Sequence, residues 1–236
     1  MKYKRILLKL SGEALMGNDT YGIDSKVLSF FVDEMISASE LGVEIGLVIG
    51  GGNIFRGVKG ASDGFDRIDG DYIGMLATVM NSVALKSEIE KKDKKAIILS
   101  GIAIDSICTK MHFKTARHFL ESGYIVIIAS GTGNPFFTTD SAAALRALEI
   151  NADVLIKGTK VDGVYDSDPL KNHNAKKYDT ITYEQAYKEK LQIMDLTAFT
   201  LCQENNMPII VFNMNKPGNL KKIVQGEKIG TLIKNL

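Results

Sequence analysis

The chain predicts an α/β protein, a three-layer αβα sandwich around a central, mainly parallel sheet. Three observations predict it. Short apolar runs alternate with helix-like segments through nearly all 236 residues. Several of those runs are apolar at successive positions, as strands covered by helices on both faces are. The glycine-rich and polar clusters fall just after the apolar runs, which places them at one edge of a parallel sheet.

In chain order, strands are expected at Arg5–Leu10, Glu44–Ile49, Lys95–Leu99, Tyr124–Ala129, Asp153–Lys157, Pro208–Asn213 and Thr231–Lys234. The fourth, Tyr-Ile-Val-Ile-Ile-Ala, is short, apolar and β-branched, the mark of a buried strand. Helices are expected between them at Lys26–Leu41, Asp71–Lys91, Lys114–Ser122, Ser141–Ile150, Tyr183–Lys190, Leu196–Asn205 and Asn219–Gln225. Ser141–Leu148 is alanine- and leucine-rich and a strong helix former, and Thr138, Thr139 or Asp140 is placed to cap it. The glycine- and aspartate-rich stretch Val58–Gly70 reads as a loop, and Gly158–Asp179 as a second irregular stretch. Loops this long are either functional lids or ordinary surface excursions, and both readings stand. With no low-complexity linker and no repeat, residues 1–236 read as a single domain.

Composition narrows the function classes. The net charge of +1 gives no electrostatic case for nucleic acid or an anionic membrane as main partner. The apolar runs are strand length, far short of the ~20 residues that span a bilayer. Lys9 interrupts the first apolar run and no cleavage site follows, so no signal peptide is expected and a cytoplasmic location is. Cys108 and Cys202 lack metal or redox spacing and read as structural thiols. His112, His118 and His173 are scattered, which argues against a histidine metal site.

The densest polar cluster is Gly131-Thr-Gly-Asn-Pro-Phe-Phe-Thr-Thr-Asp140. It brings backbone N–H groups and threonine hydroxyls to a helix N-terminus, a ready anion site. An ordinary capped turn would not need two adjacent phenylalanines and three threonines. Lys9-Leu10-Ser11-Gly12 ends the first strand, where a lysine sets a point charge and the next N–H groups can turn toward phosphate. A lysine there also reads as a solvated flank. Gly50-Gly51-Gly52-Asn53 lets a phosphate approach the backbone, and Arg56 adds a forked donor, although a tight turn explains one of those glycines. The run from Lys157 through Thr159 and Tyr165 to Asp168 offers a second lysine, a ring to stack a base and a carboxylate for a ribose. It reads as well as a polar Asp-Pro turn. The P-loop, GxGxxG and protein-kinase signatures are absent. Two strand-end lysines, two glycine loops and an arginine suit phosphoryl transfer, where positioning and charge neutralisation dominate. Asp140 is then the carboxylate that orients both lysines.

Together with Phe55-Arg-Gly57, Gly74-Met-Leu-Ala-Thr-Val-Met-Asn81, Lys160-Val-Asp-Gly-Val-Tyr165, Met194–Thr200 and Val211–Gly218, these motifs resemble the bacterial uridylate (UMP) kinases of the amino acid kinase fold family. The resemblance runs from Lys4 to Leu232. It implies transfer of the ATP γ-phosphate to UMP, giving UDP and ADP in de novo pyrimidine nucleotide synthesis. It implies Mg²⁺ held mainly through the nucleotide phosphates, with no metal ligands of the protein's own. Residues 1–150 would mainly bind UMP and make subunit contacts, and residues 151–236 would mainly bind ATP.

Site roles follow from the same resemblance. Lys9, Asp140 and Lys157 would be catalytic. ATP would meet Lys9, Leu10, Ser11, Gly12, Gly52, Arg56, Thr159, Tyr165 and Asp168. UMP would meet Gly51, Asp71, Thr132, Gly133, Asn134, Pro135, Phe136, Phe137, Thr138 and Thr139. The family also implies a homohexamer, inhibition by UTP and activation by GTP, with Gly17, Asn18, Asp19, Thr20, Tyr21 and Gly22 where its GTP-linked region falls. Ser100–Lys110 departs from the family pattern, in a stretch near its subunit and effector contacts. Two other readings remain. One is a kinase of the same fold acting on a carboxylate or carbamate. The other is a nucleotide sensor or storage relative, which would have lost a phosphate lysine or Asp140; all three residues are present.

Overall fold

The computed structural model describes residues 1–55, 64–169, 171–172 and 174–236. Among these, the strands are β1 (Arg5–Leu10), β2 (Glu44–Ile49), β3 (Ala96–Ser100), β4 (Thr109–Lys110), β5 (Ile125–Ala129), β6 (Val154–Thr159), β7 (Thr180–Thr182), β8 (Ile209–Asn213) and β9 (Thr231–Lys234). The α-helices are α1 (Ser25–Ser39), α2 (Arg67–Lys91), α3 (Phe113–Glu121), α4 (Thr139–Glu149), α5 (Tyr183–Lys188), α6 (Leu196–Glu204) and α7 (Asn219–Gln225). One sheet runs in the order β4-β3-β5-β2-β1-β6-β8-β9-β7. Its pairings are parallel except for antiparallel β8–β9.

The side-chain period of two assigns each strand residue to a face. Ile6, Leu8 and Leu10 of β1 and Val154 and Ile156 of β6 pack under α1, α2 and α7, against Phe31, Met35, Leu85 and Ile223. Leu7 and Leu155 point the other way, toward α3, α4, α5 and α6, against Leu120, Ala144, Ala147 and Phe199. Both faces are therefore dry, which is why the central strands read as continuous apolar runs. Lys9 and Lys157 share the second face by parity with Leu7 and Leu155.

The structure moves several boundaries. β6 continues to Thr159, so Gly158 and Thr159 are strand, because they pair with Phe212 and Asn213 of β8. α2 begins at Arg67, one turn before the expected Asp71, because the Asp66 carboxylate accepts from Ile68 N at 2.8 Å and caps it there. Of the expected 58–70 loop, 67–70 is thus helical and 58–63 lies outside the described residues. β4 and β7 were not predicted. Each is two or three residues long with no apolar run of its own, and only the neighbouring strand makes it a strand. A 3₁₀ turn at Gly12–Met16 was not predicted either.

α2 supports the glycine-rich loop from below. Asn81 Nδ2 donates to Gly50 O at 2.8 Å and to Asn53 Oδ1 at 2.7 Å. Asn53 Nδ2 returns bonds to Asn81 Oδ1 at 2.9 Å and to Gly22 O at 2.8 Å. Both amides are buried. Replacing Asn81 with Leu strands the Asn53 amide and the Gly50 carbonyl away from water. The expected cost is about 1–3 kcal/mol, read as a lower urea midpoint with an unchanged m value.

Candidate functional site

Lys9 and Lys157 are direct partners in the β1–β6 register, so their side chains leave the sheet side by side. Two ammonium groups largely withdrawn from water in that position repel each other unless an anion lies between them. Asp140 supplies it. Lys9 Nζ is 2.7 Å from Asp140 Oδ1 and Lys157 Nζ donates to Asp140 Oδ2 at 2.8 Å. Lys157 Nζ also donates to Ile193 O at 2.7 Å.

The sequence of α4 explains how Asp140 gets there. Its sheet-facing positions are Ala143, Ala144 and Ala147, all fully buried, and such short side chains let the helix lie close on β1 and β2. Of the three candidate caps, Thr138 fills the role, its hydroxyl accepting from Asp140 N at 3.1 Å and Ser141 N at 3.3 Å. A carboxylate in the first turn also meets the positive end of the helix dipole. Thr138 donates in turn to Asp195, which accepts from Ser141 Oγ at 2.9 Å and from Ala198 N at 2.8 Å as the cap of α6. Asp195 was not singled out from the sequence. Its signal was present, since an aspartate just before Leu-Thr-Ala-Phe marks a helix start.

Burial pushes the Asp140 carboxyl up, but Lys9 and Lys157 together outweigh it and hold the group below the usual carboxylate range. Burial acts in the opposite chemical sense on Lys157, lowering its pKa, and Lys9 adds to the effect while Asp140 opposes it.

Three clefts open around this triad. A cleft of about 200 Å³ is lined by Lys9, Leu10, Ser11, Lys157 and Thr159. Gly12 is not among its walls. A larger one of about 510 Å³ is lined by Lys157, Thr159, Tyr165 and Asp168. There the Tyr165 hydroxyl donates to Asp162 at 2.5 Å, which raises the phenol pKa and lowers that of the carboxyl. Asn213 Nδ2 donates to Lys160 O at 3.0 Å and steadies the turn after β6.

The third cleft, of about 350 Å³, opens beside the N-terminus of α4. Its walls include Gly51, Asp71, Thr132, Asn134, Thr138 and Thr139, with Phe137 beside them. Gly133, Pro135 and Phe136 do not line it. Gly52, expected on the ATP side, lines this cleft instead. The glycines also differ in why they are glycine. A Cβ at Gly51 would come within 2.8 Å of Ala77 Cβ and Gly74 O of α2, whereas one at Gly52 would meet Glu13 only at 3.5 Å. Close packing of the protein on itself demands Gly51, so the run of glycines is not there for a ligand alone. Asp71 accepts from Arg67 Nε at 3.0 Å and from Phe136 N at 2.7 Å, tying the threonine-rich loop to α2. Arg56 lies outside the described residues. The segment 17–22 meets the glycine loop through Gly22 N, which donates to Asn53 O at 2.8 Å.

Asp140→Asn tests the electrostatics. The Asp140 carboxylate stabilises the fold above its ordinary pKa of 3.8, and that contribution is lost as pH falls through its lowered native value. The variant leaves two ammonium groups facing each other. It is expected to lose about 3 kcal/mol at neutral pH. Its stability, followed by chemical denaturation, should then fall less steeply than that of the parent below pH 3.8.

With this geometry in hand, the relatives are informative. The sequence model of the amino acid kinase family matches residues 4–213. A uridylate kinase of Porphyromonas gingivalis is 53% identical over 233 residues, covering 99% of this chain and 98% of that one. The crystal structure of a UMP kinase from Bacillus anthracis superposes with a TM-score of 0.97 at 39% identity, over 100% of this chain and 97% of that one. A UMP kinase from Ureaplasma parvum superposes at 0.93 with 36% identity over the whole of both chains. The chain is a member of the amino acid kinase family, matched from end to end by its uridylate kinases.

Proposed function

We propose that the protein is a uridylate kinase, moving the γ-phosphoryl group of ATP onto the phosphate of UMP to give UDP and ADP. The observation that carries this reading is the pair of ammonium groups held by one carboxylate between a lysine-rich cleft and a threonine-rich one. Phosphoryl transfer asks the protein for alignment and for neutralisation of charge on the moving group. Lys9 and Lys157 would take the ATP phosphate oxygens, with Ser11 beside them. Thr159, Tyr165 and Asp168 would hold the adenosine end, and the loop 131–139 with Gly51, Gly52 and Asp71 would hold UMP. Asp140 keeps both ammonium groups aimed. A phosphate monoester has a second pKa of ~6 and is mostly dianionic at neutral pH, so the acceptor needs no general base.

Mg²⁺ fits this arrangement. No cluster of three metal-ligating side chains occurs among the described residues. Mg²⁺ asks for only one or two carboxylates beside phosphates and water. Glu13 and Asp140 are the carboxylates of the phosphate region, and the ion would come on the nucleotide, where it supplies further charge neutralisation. On this reading residues 1–150 serve mainly UMP and subunit contacts, and 151–236 mainly ATP.

The assembly belongs to the same proposal. Ile68, Tyr72, Leu76, Met80 and Val83 are exposed at helical spacing along one side of α2, an apolar stripe suited to subunit contact. We assign a homohexamer, regulated by GTP and UTP. No described helix is long and apolar enough to cross a membrane, and we place the enzyme in the cytoplasm. Sedimentation should give about six times the 25.8 kDa chain mass, and Met80→Asp should lower it.

The deciding assay couples ADP release to a panel of UMP, CMP, dUMP, acetylglutamate, aspartate and carbamate with Mg·ATP. Turnover with UMP alone is expected. Lys157→Ala should cut kcat by about 100-fold or more while leaving the fold intact. Turnover on a carboxylate and not on UMP would overturn the assignment.

A further inference from the structure

Arg146 has no part in the roles above, and its surroundings are unusual. It lies two turns into α4, on the helix that carries Asp140, and its side chain is only 7% exposed. Nη2 donates to Gly131 O at 3.0 Å and to Thr132 O at 3.2 Å. Nη1 donates to Glu149 Oε2 at 2.6 Å, and the buried Nε meets no acceptor. A buried guanidinium is costly, and more so with one N–H unpaired. Its hydrogen bonds go chiefly to two consecutive carbonyls of the loop that walls the third cleft.

That loop needs holding. Ser130, Gly131, Gly133 and Phe136 all have positive φ, at 58°, 56°, 83° and 71°. Backbone in that region persists where its surroundings over-determine it. From α2, Thr78 Oγ1 accepts from Ser130 N at 2.7 Å. From the end of β3, Gly101 backs Gly133 so closely that a Cβ on Gly133 would stand 2.6 Å from Gly101 O. Arg146 completes the set from α4. Its direction has a chemical consequence. By holding both carbonyls the guanidinium fixes the backbone that carries Thr132 and Asn134, whose polar groups stand in the wall of the third cleft. Uracil offers an N–H donor at position 3 and a carbonyl acceptor at position 4. Cytosine reverses both, with an acceptor nitrogen at 3 and an amino donor at 4, so a wall whose donors and acceptors are fixed in place pairs with one base and not the other.

We propose that Arg146 is a positioning residue for pyrimidine selection: by holding the Gly131 and Thr132 carbonyls it fixes the wall groups of the loop in one arrangement, which favours uracil over cytosine. The proposal rests on the uridylate kinase reading. Arg146→Met and Arg146→Lys test it with UMP and CMP as acceptors and ATP varied. In Arg146→Met the KM for UMP should rise about tenfold and the UMP-to-CMP ratio of kcat/KM should fall about tenfold, with the KM for ATP within about twofold of the parent. Arg146→Lys keeps the charge and a donor and should fall between. Circular dichroism checks the fold, and if Arg146→Met does not fold, Arg146→Lys carries the same comparison. A purely structural residue would raise both KM values together, or lower only the melting temperature, with the UMP-to-CMP ratio unchanged; either result overturns the proposal. A parent enzyme inactive on UMP would instead overturn the functional reading itself, and this proposal with it.

Discussion

The site depends on one carboxylate between two ammonium groups. At an effective dielectric of about 20, unit charges about 4 Å apart interact by about 4 kcal/mol. Lys9 and Lys157 side by side would therefore work against the β1–β6 pairing that aligns them. With Asp140 between, two attractions oppose one repulsion and the burial cost, and the Asp140 carboxyl is held below its usual range. The same balance holds both lysine side chains in place. A polyanion entering the cleft meets two cations already fixed in place, so little is lost in ordering long lysine side chains when the ligand arrives.

α4 makes that balance possible and links it to the threonine-rich third cleft. Its alanine face brings it close to the sheet, its Thr138 cap orients the first turn, and Asp140 in that turn reaches both strands. Farther along, Arg146 turns back to the loop that precedes the helix. One helix thus fixes Lys9 and Lys157 from its N-terminal turn and the loop carbonyls from its second turn. α2 plays the complementary part below the sheet, where Asn81 holds the glycine loop and Thr78 the start of the threonine-rich loop.

Much of this was legible in the chain. The long apolar strands and most helices fell where periodicity set them, with ends displaced by a residue or a turn. The largest displacement, at α2, came from an Asp66 cap within a stretch taken for loop. The short edge strands β4 and β7 were not legible, because they have no pattern of their own and exist only against a neighbour. The glycine run was legible as a loop, but not the division of labour within it, because the demand for Gly51 comes from α2 in three dimensions. Arg146 gave no signal, since an arginine in a helix reads as a solvated position until its burial is known.

The sequence by itself determined the α/β class, the order of the elements and the kinds of chemical group at the strand ends. Those features arise from periodicity, capping and side-chain type, which act within a few residues along the chain. The tertiary structure makes the expected meeting of Lys9, Lys157 and Asp140, and it alone decided that Asp195 joins two helix caps and that Arg146 holds a loop instead of facing water. Strand register and helix docking join residues far apart in the chain, and no local pattern carries that information.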